Sequence, residues 1–168
     1  MDPFTLQVGG PASLPVRLAV GAVAGLLATA VMTLPMKRLP EGTTPTFVAA
    51  GALTGEALTE VSERLAAIVH YVSGTLAGVL FAFVAVAFEN VIPTSVTIPR
   101  VEIGAIAHLL AGLLVFGFLA AVFGYLVLPL FGGEATERAD RVRNDWTVAA
   151  AVYTVAVMVF VPVLMLLV

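Results

Sequence analysis

The chain has 168 residues, of which 60% are hydrophobic and 11% charged, and its mean hydropathy is +1.06; a soluble domain would carry about a quarter charged residues. Cysteine is absent, which excludes disulfides, iron–sulfur clusters and thiolate metal sites. Eight basic residues against eleven acids leave a net charge of −3, and this argues against nucleic acid as a partner.

Four apolar stretches, roughly 15–36, 66–88, 103–130 and 146–168, can each form a helix able to cross a hydrocarbon core of ~30 Å. None keeps the polar stripe expected of a buried helix in a soluble protein. The predicted fold is all-α: a polytopic integral membrane protein in which residues 1–168 form a single membrane domain, a bundle of four transmembrane helices. The leading segment, MDPFTLQVGGPASLPV, holds Asp2 and no cation before Arg17, and the apolar run behind it is too long for a signal-peptide core. Residues 15–36 therefore read as a retained first membrane helix.

In the first loop, Thr44-Pro45 reads as an N-cap followed by proline in the first helical turn. From there Phe47, Gly51, Leu58, Val61 and Leu65 fall near one face, and Glu56, Glu60 and Glu63 on another. The spacing predicts a short amphipathic helix over about 45–64, lying against the mouth of the bundle or offering a docking face to a partner subunit. Its acidic face would repel anionic lipid head groups. Between the second and third spans, ENVIPTSVTIPR has room for an extended turn. The 131–145 loop, within FGGEATERADRVRNDW, stops helix three at Gly132-Gly133. Glu134/Arg138 and Glu137/Arg141 then suggest a short solvated helix with i,i+4 pairs, and Trp146 an interfacial anchor. An arginine cluster for a ligand is the alternative there. Pro162 can kink helix four near its end.

Cations set topology. Lys37, Arg38, Arg64, Arg138, Arg141 and Arg143 lie in or beside loops one and three, against Arg17 and Arg100 opposite. The expected arrangement is multi-pass in the plasma membrane, with loops one and three cytoplasmic and both termini outside.

Membrane helices associate by close backbone approach and polar contacts. Small residues mark the packing faces: Gly21, Gly25, Thr29 and Thr33 on helix one; Gly74 and Gly78, with His70, on helix two; Gly104, Gly112 and Gly124, with His108 and Ala120, on helix three. Helix four offers Ala149, Ala150 and Ala151. Met32 and Met36 read as packing residues, since nothing supplies further ligands for haem or copper.

The chain's two histidines share a frame, AIVHYVSGTL for His70 and AIAHLLAGLL for His108. Successive helices run antiparallel, so each histidine, early in its own helix, falls in the opposite half of the membrane. At ~1.5 Å per residue the rings should be about 20 Å apart, too far to share a haem or a metal. Three single-histidine roles stay open: a structural hydrogen bond, a proton-linked or ligand-contacting role, and a cofactor ligand completed by another chain. The expected partners are Tyr71, Ser73, Thr75 or a neighbouring carbonyl for His70, and the Glu89, Asn90 and Glu102 level for His108. The recurrence of the frame in antiparallel helices could mark an inverted repeat, but helices one and four do not match.

The remaining carboxylates sit at helix ends or in loops, so the mid-membrane acid of a proton-coupled transporter is missing. There is no Ser-His-acid set, phosphate-binding loop or dinucleotide fingerprint. The expectation is no enzyme, no catalytic residue, no cofactor and no bound metal. Three functions are compatible with this. The first is a small membrane subunit or accessory protein that binds itself or a larger membrane complex. The second is an oligomeric transporter or channel for a small solute, and the third a haem-bearing electron-transfer subunit with ligands shared between chains.

GAVAGLLATAVMTLPMKRLPEGTTP, followed by IVHYVSGTLAG, resembles the small YagU-like prokaryotic membrane proteins, with a looser likeness through AIAHLLAGLLVFGFLAAVFGYL. That resemblance implies a four-helix membrane fold and carries no functional residues with it. The acid-rich, lysine-poor composition resembles that of proteins from salt-loving archaea.

Overall fold

A computed structural model describes residues 13–92, 96–98, 101 and 103–168. Asp2, Arg100 and Glu102, and most of the leading segment, lie outside the described residues. Among the described residues the fold is all-helical apart from one two-residue strand pair. Four helices, Leu14–Met36, Glu63–Val91, Ala105–Phe131 and Gly133–Met165, are long and apolar enough to cross a membrane.

Helix α1 (Leu14–Met36) opens with proline in its first turn and ends just past Pro35. The capping N–H of Lys37 returns to the Thr33 carbonyl at 3.1 Å. Helix α2 (Thr44–Thr54) starts at the Thr44-Pro45 pair, but the amphipathic helix expected over 45–64 does not form as one piece. Gly55 adopts φ 75°, the left-handed conformation that glycine tolerates at a helix end, and its N–H closes on the Gly51 carbonyl at 2.8 Å. The chain restarts as α3 (Glu63–Val91), where the Ser62 hydroxyl accepts from the Leu65 N–H at 3.2 Å. Glu56 and Glu60 therefore belong to a connecting turn, and Glu63 to the first turn of α3.

After α3, β1 (Thr97–Ile98) pairs antiparallel with β2 (Ile103–Gly104), a minimal hairpin within the expected extended turn. Helix α4 (Ala105–Val122) passes through a π-helical turn, Phe123–Val127, into the short α5 (Leu128–Phe131). In that turn the Leu128 N–H reaches back five residues to Phe123, which frees the Gly124 carbonyl. Arg143 Nε donates to it at 2.9 Å.

The 131–145 loop also departs from expectation. Gly133–Arg138 is a 3₁₀ helix, and α6 (Ala139–Met165) begins well before residue 146. With about three residues per turn, a 3₁₀ helix does not stack residues i and i+4. Arg138 instead leaves its own segment and pairs with Glu41 of loop one, 2.5 Å away. Pro162 lies inside α6, which continues to Met165.

The long helices neighbour one another in the order α1, α3, α4, α6, with α1 diagonal to α4. The α1 contacts with α3 and α6 are the tightest, because α1 presents glycine, alanine and threonine on its inner faces. A Cβ on Gly25 would lie 2.5 Å from the Gly74 carbonyl oxygen and 2.8 Å from Gly78 Cα. On Gly21 it would meet Ala82 Cβ at 2.6 Å. Across the bundle, a Cβ on Gly112 would overlap the Met158 sulfur. Gly124 makes no such approach, since a Cβ there meets only the Arg143 side chain, Cγ at 3.5 Å and Cδ at 3.9 Å. Its contribution is the carbonyl that the π-turn releases. The remaining α4 faces carry leucines and phenylalanines, many of them exposed. The bundle is thus closed on its α1 side and looser between α3 and α4.

Candidate functional site

Polar side chains collect at three levels of this apolar bundle. At the end carrying α2, the buried Asp145 carboxylate accepts from the Glu41 N–H at 2.8 Å, and the Glu41 carboxylate accepts from Arg138 and from the Thr44 hydroxyl. Loops one and three are locked together by these contacts. The Arg138 guanidinium, as hydrogen-bond donor, holds the Glu41 carboxyl below its ordinary value of 4.5; burial opposes this and the Thr44 hydroxyl adds to it. A depressed carboxylate pKa stabilises the fold above the ordinary carboxylate range, and that contribution is lost as pH falls through the folded value. The thermal midpoint should therefore fall on acidification below pH 4.5. Arg138→Gln should flatten the Glu41 part of that fall, and an unchanged pH profile in the variant would refute the assignment.

At the hairpin end, Arg17 and Glu89 form an ion pair with both side chains 6% exposed. Arg17 Nη2 donates to Glu89 Oε1 at 2.9 Å, and the Gly104 N–H donates to the same oxygen at 3.1 Å. Gly104 thus serves through its backbone. Read from the chain alone these charges were helix-end groups; in the fold they are buried polar glue. One signal for them was available: Arg17 lies early in helix one and Glu89 late in an antiparallel helix two, so they reach the same level.

His108 lies near this pair but not on it. Its Nε2 donates to the Met158 carbonyl at 2.9 Å, and its ring stands edge-on to Phe81 with centroids 5.0 Å apart. Its Nδ1 is buried and has no partner among the described residues. Neither Glu89 nor Asn90 serves it: Glu89 is held by Arg17 and Gly104, and the Asn90 amide donates to the Val86 carbonyl.

The third level holds His70. Its hydrogen bond is not to Tyr71, Ser73 or Thr75 but to Thr33 across the glycine-lined α1–α3 contact, at 3.1 Å. The Thr33 hydroxyl donates its own proton to the Thr29 carbonyl at 2.8 Å, so its oxygen accepts from His70 Nε2–H. The lone pair of the neutral ring is then on Nδ1. Tyr71 touches the imidazole edge-on, with centroids 5.4 Å apart. Phe81, which contacts His108, is about three helical turns along α3 from His70, roughly 16 Å at ~1.5 Å per residue. The two histidines do not converge. Among the described residues, no three His, Cys, Asp or Glu side chains form a metal-binding group.

His70 lines a recess of about 60 Å³ with Met32, Ser73, Gly74, Trp146 and Tyr153. The Tyr153 hydroxyl crosses the bundle to donate to the Gly74 carbonyl at 2.6 Å, and Trp146 Nε1 donates to the Leu119 carbonyl at 2.8 Å. Ser73, Ala77, Leu119 and Trp146 also line a neighbouring groove of about 390 Å³ that opens between α3 and α4. A recess bordered by a few polar side chains beside an apolar groove is the arrangement that ligand sites use. No aspartate, glutamate, lysine or arginine lines either space, so this site suits a neutral molecule. Neither the groove nor Tyr153 was visible beforehand. Groove lining depends on which apolar faces are left apart, and Tyr153 is a lone hydroxyl inside an apolar run. No family model, curated protein or solved structure matches this chain, so its function is argued from the geometry of the bundle itself.

Proposed function

We propose that this chain is a small, non-enzymatic membrane subunit or accessory protein that packs against itself or a larger membrane complex. The observation that carries this reading is where its polar groups are directed. Arg17 and Glu89 hold each other, His70 holds Thr33, His108 and Tyr153 hold backbone carbonyls, and Asp145 and Glu41 join the two loops. These groups fix helices to one another instead of facing a shared reaction chamber. The outer faces of α3, α4 and α6 expose large apolar side chains such as Leu76, Phe118 and Val155 to lipid or to partner helices. In this reading the four long helices span the plasma membrane. The Lys37, Arg38 and Arg64 side of the bundle, joined to the third loop by Arg138, faces the cytoplasm, and both termini lie outside.

Mass spectrometry of complexes released by gentle solubilisation tests this proposal. A stoichiometric assembly heavier than the 17.4 kDa chain is expected. A monomer that persists in mild detergent and in native lipid discs would overturn it.

A further inference from the structure

Beyond the subunit role, we propose that the groove between α3 and α4 binds one neutral lipid carrying a single hydroxyl head, a long-chain or isoprenoid alcohol. The hydroxyl would lie in the recess at His70 and Ser73. This assignment rests on reading the long helices as membrane spans, and does not depend on whether the chain has a protein partner.

Four observations select this occupant. The groove walls, among them Leu76, Leu80, Phe118, Val122 and Val127, are apolar, and at about 390 Å³ the space matches small-molecule sites of ~300–1,000 Å³. Charged side chains line neither the groove nor the recess, so an ionised head such as a carboxylate or phosphate would be buried without a counter-ion. The recess, about 60 Å³, has room for a head as small as a hydroxyl. It also lies two turns beyond the start of α3, about 6 Å past residue 66, where the apolar stretch begins.

The available hydrogen-bonding atoms decide between neutral heads. Tyr153 donates to Gly74, Trp146 to Leu119, and His70 Nε2 to Thr33. What remains is the His70 Nδ1 acceptor and the Ser73 hydroxyl, which has no partner among the described residues. A ligand hydroxyl satisfies both, donating to Nδ1 and accepting from Ser73. A ketone or ether oxygen has no proton to give Nδ1.

Trp146 is the single tryptophan of the chain and borders both spaces. It therefore reports occupancy directly. Hexadecanol brominated along its chain should quench Trp146 saturably in discs of unbrominated lipid. The matching brominated methyl ether should bind about fivefold more weakly, the loss expected for one hydrogen bond of ~1 kcal/mol. A brominated phospholipid should quench only in proportion to its mole fraction. Ser73→Ala should weaken alcohol and ether alike by a similar factor, since either oxygen accepts from the Ser73 hydroxyl. His70→Phe should weaken the alcohol and leave the ether unaffected, and if it fails to fold, Ser73→Ala still decides the matter, since Ser73 is exposed and holds nothing else in place. Equal quenching by alcohol and ether, or an unchanged alcohol titration in Ser73→Ala, would overturn the proposal.

Discussion

Glu89→Ala is expected to destabilise the protein by about 3–5 kcal/mol, because removing one partner of a buried ion pair leaves the other charge uncompensated. Both side chains are 6% exposed, and Glu89 also satisfies the Gly104 N–H where the hairpin enters α4. The substitution therefore orphans a guanidinium and a backbone donor together. Arg17→Met should cost a similar amount. The double change Arg17→Met with Glu89→Leu should recover most of the loss, since an apolar pair needs no counter-charge. Denaturation followed by Trp146 fluorescence measures all three variants. Single variants within about 0.5 kcal/mol of wild type, as at ordinary surface positions, would show that the pair is not buried in the folded protein.

The second large effect concerns the α1–α3 contact. A Cβ on Gly78 would overlap the Gly21 carbonyl oxygen and lie 2.6 Å from Gly25 Cα, both of them backbone atoms that cannot rotate aside. Gly78→Ala should therefore push the helices apart and cost about 1–3 kcal/mol, as overpacking does. The same displacement stretches the Thr33–His70 and Tyr153–Gly74 hydrogen bonds. Gly117 supplies the control, since a Cβ there meets nothing within 4 Å. With ~1 kcal/mol of helix propensity in its favour, Gly117→Ala should be neutral or stabilising. The sign of the effect thus separates packing from propensity. If both substitutions stabilise, α1 and α3 are not in backbone contact.

These two predictions differ in how far the chain alone exposed them. Gly21, Gly25, Gly74 and Gly78 stood out by spacing, because close helix approach requires small residues at i and i+4. Which stripe meets which required the structure. It also took the structure to show that Gly124 serves through its carbonyl and Gly104 through its N–H. The Arg17–Glu89 pair was harder to see, because each charge taken singly looks like an ordinary helix-end group. Helix ends followed the same division. Thr44-Pro45 marked the start of α2 to within one residue, the N-cap being Thr43, but Gly55 was absorbed into an amphipathic pattern that continued past it. That pattern linked residues that the left-handed turn separates.

From the sequence by itself came the class of the protein: a helical chain with four segments long and apolar enough to cross a membrane, without thiolate chemistry. These properties follow from composition and local periodicity, which act residue by residue and survive any arrangement of the helices. So did the separation of the two histidine frames, AIVHYVSGTL and AIAHLLAGLL, since antiparallel connection and helical rise place their histidines at different levels. The partners of those histidines were decided only by the tertiary structure. Thr33 reaches His70 because two glycine faces bring α1 against α3, and Met158 reaches His108 because α6 lies beside α4. The groove beside His70 exists because α4 carries bulky side chains where α1 carries glycine. Partners and cavities are relations between faces, and a face acquires its neighbour only when the bundle closes.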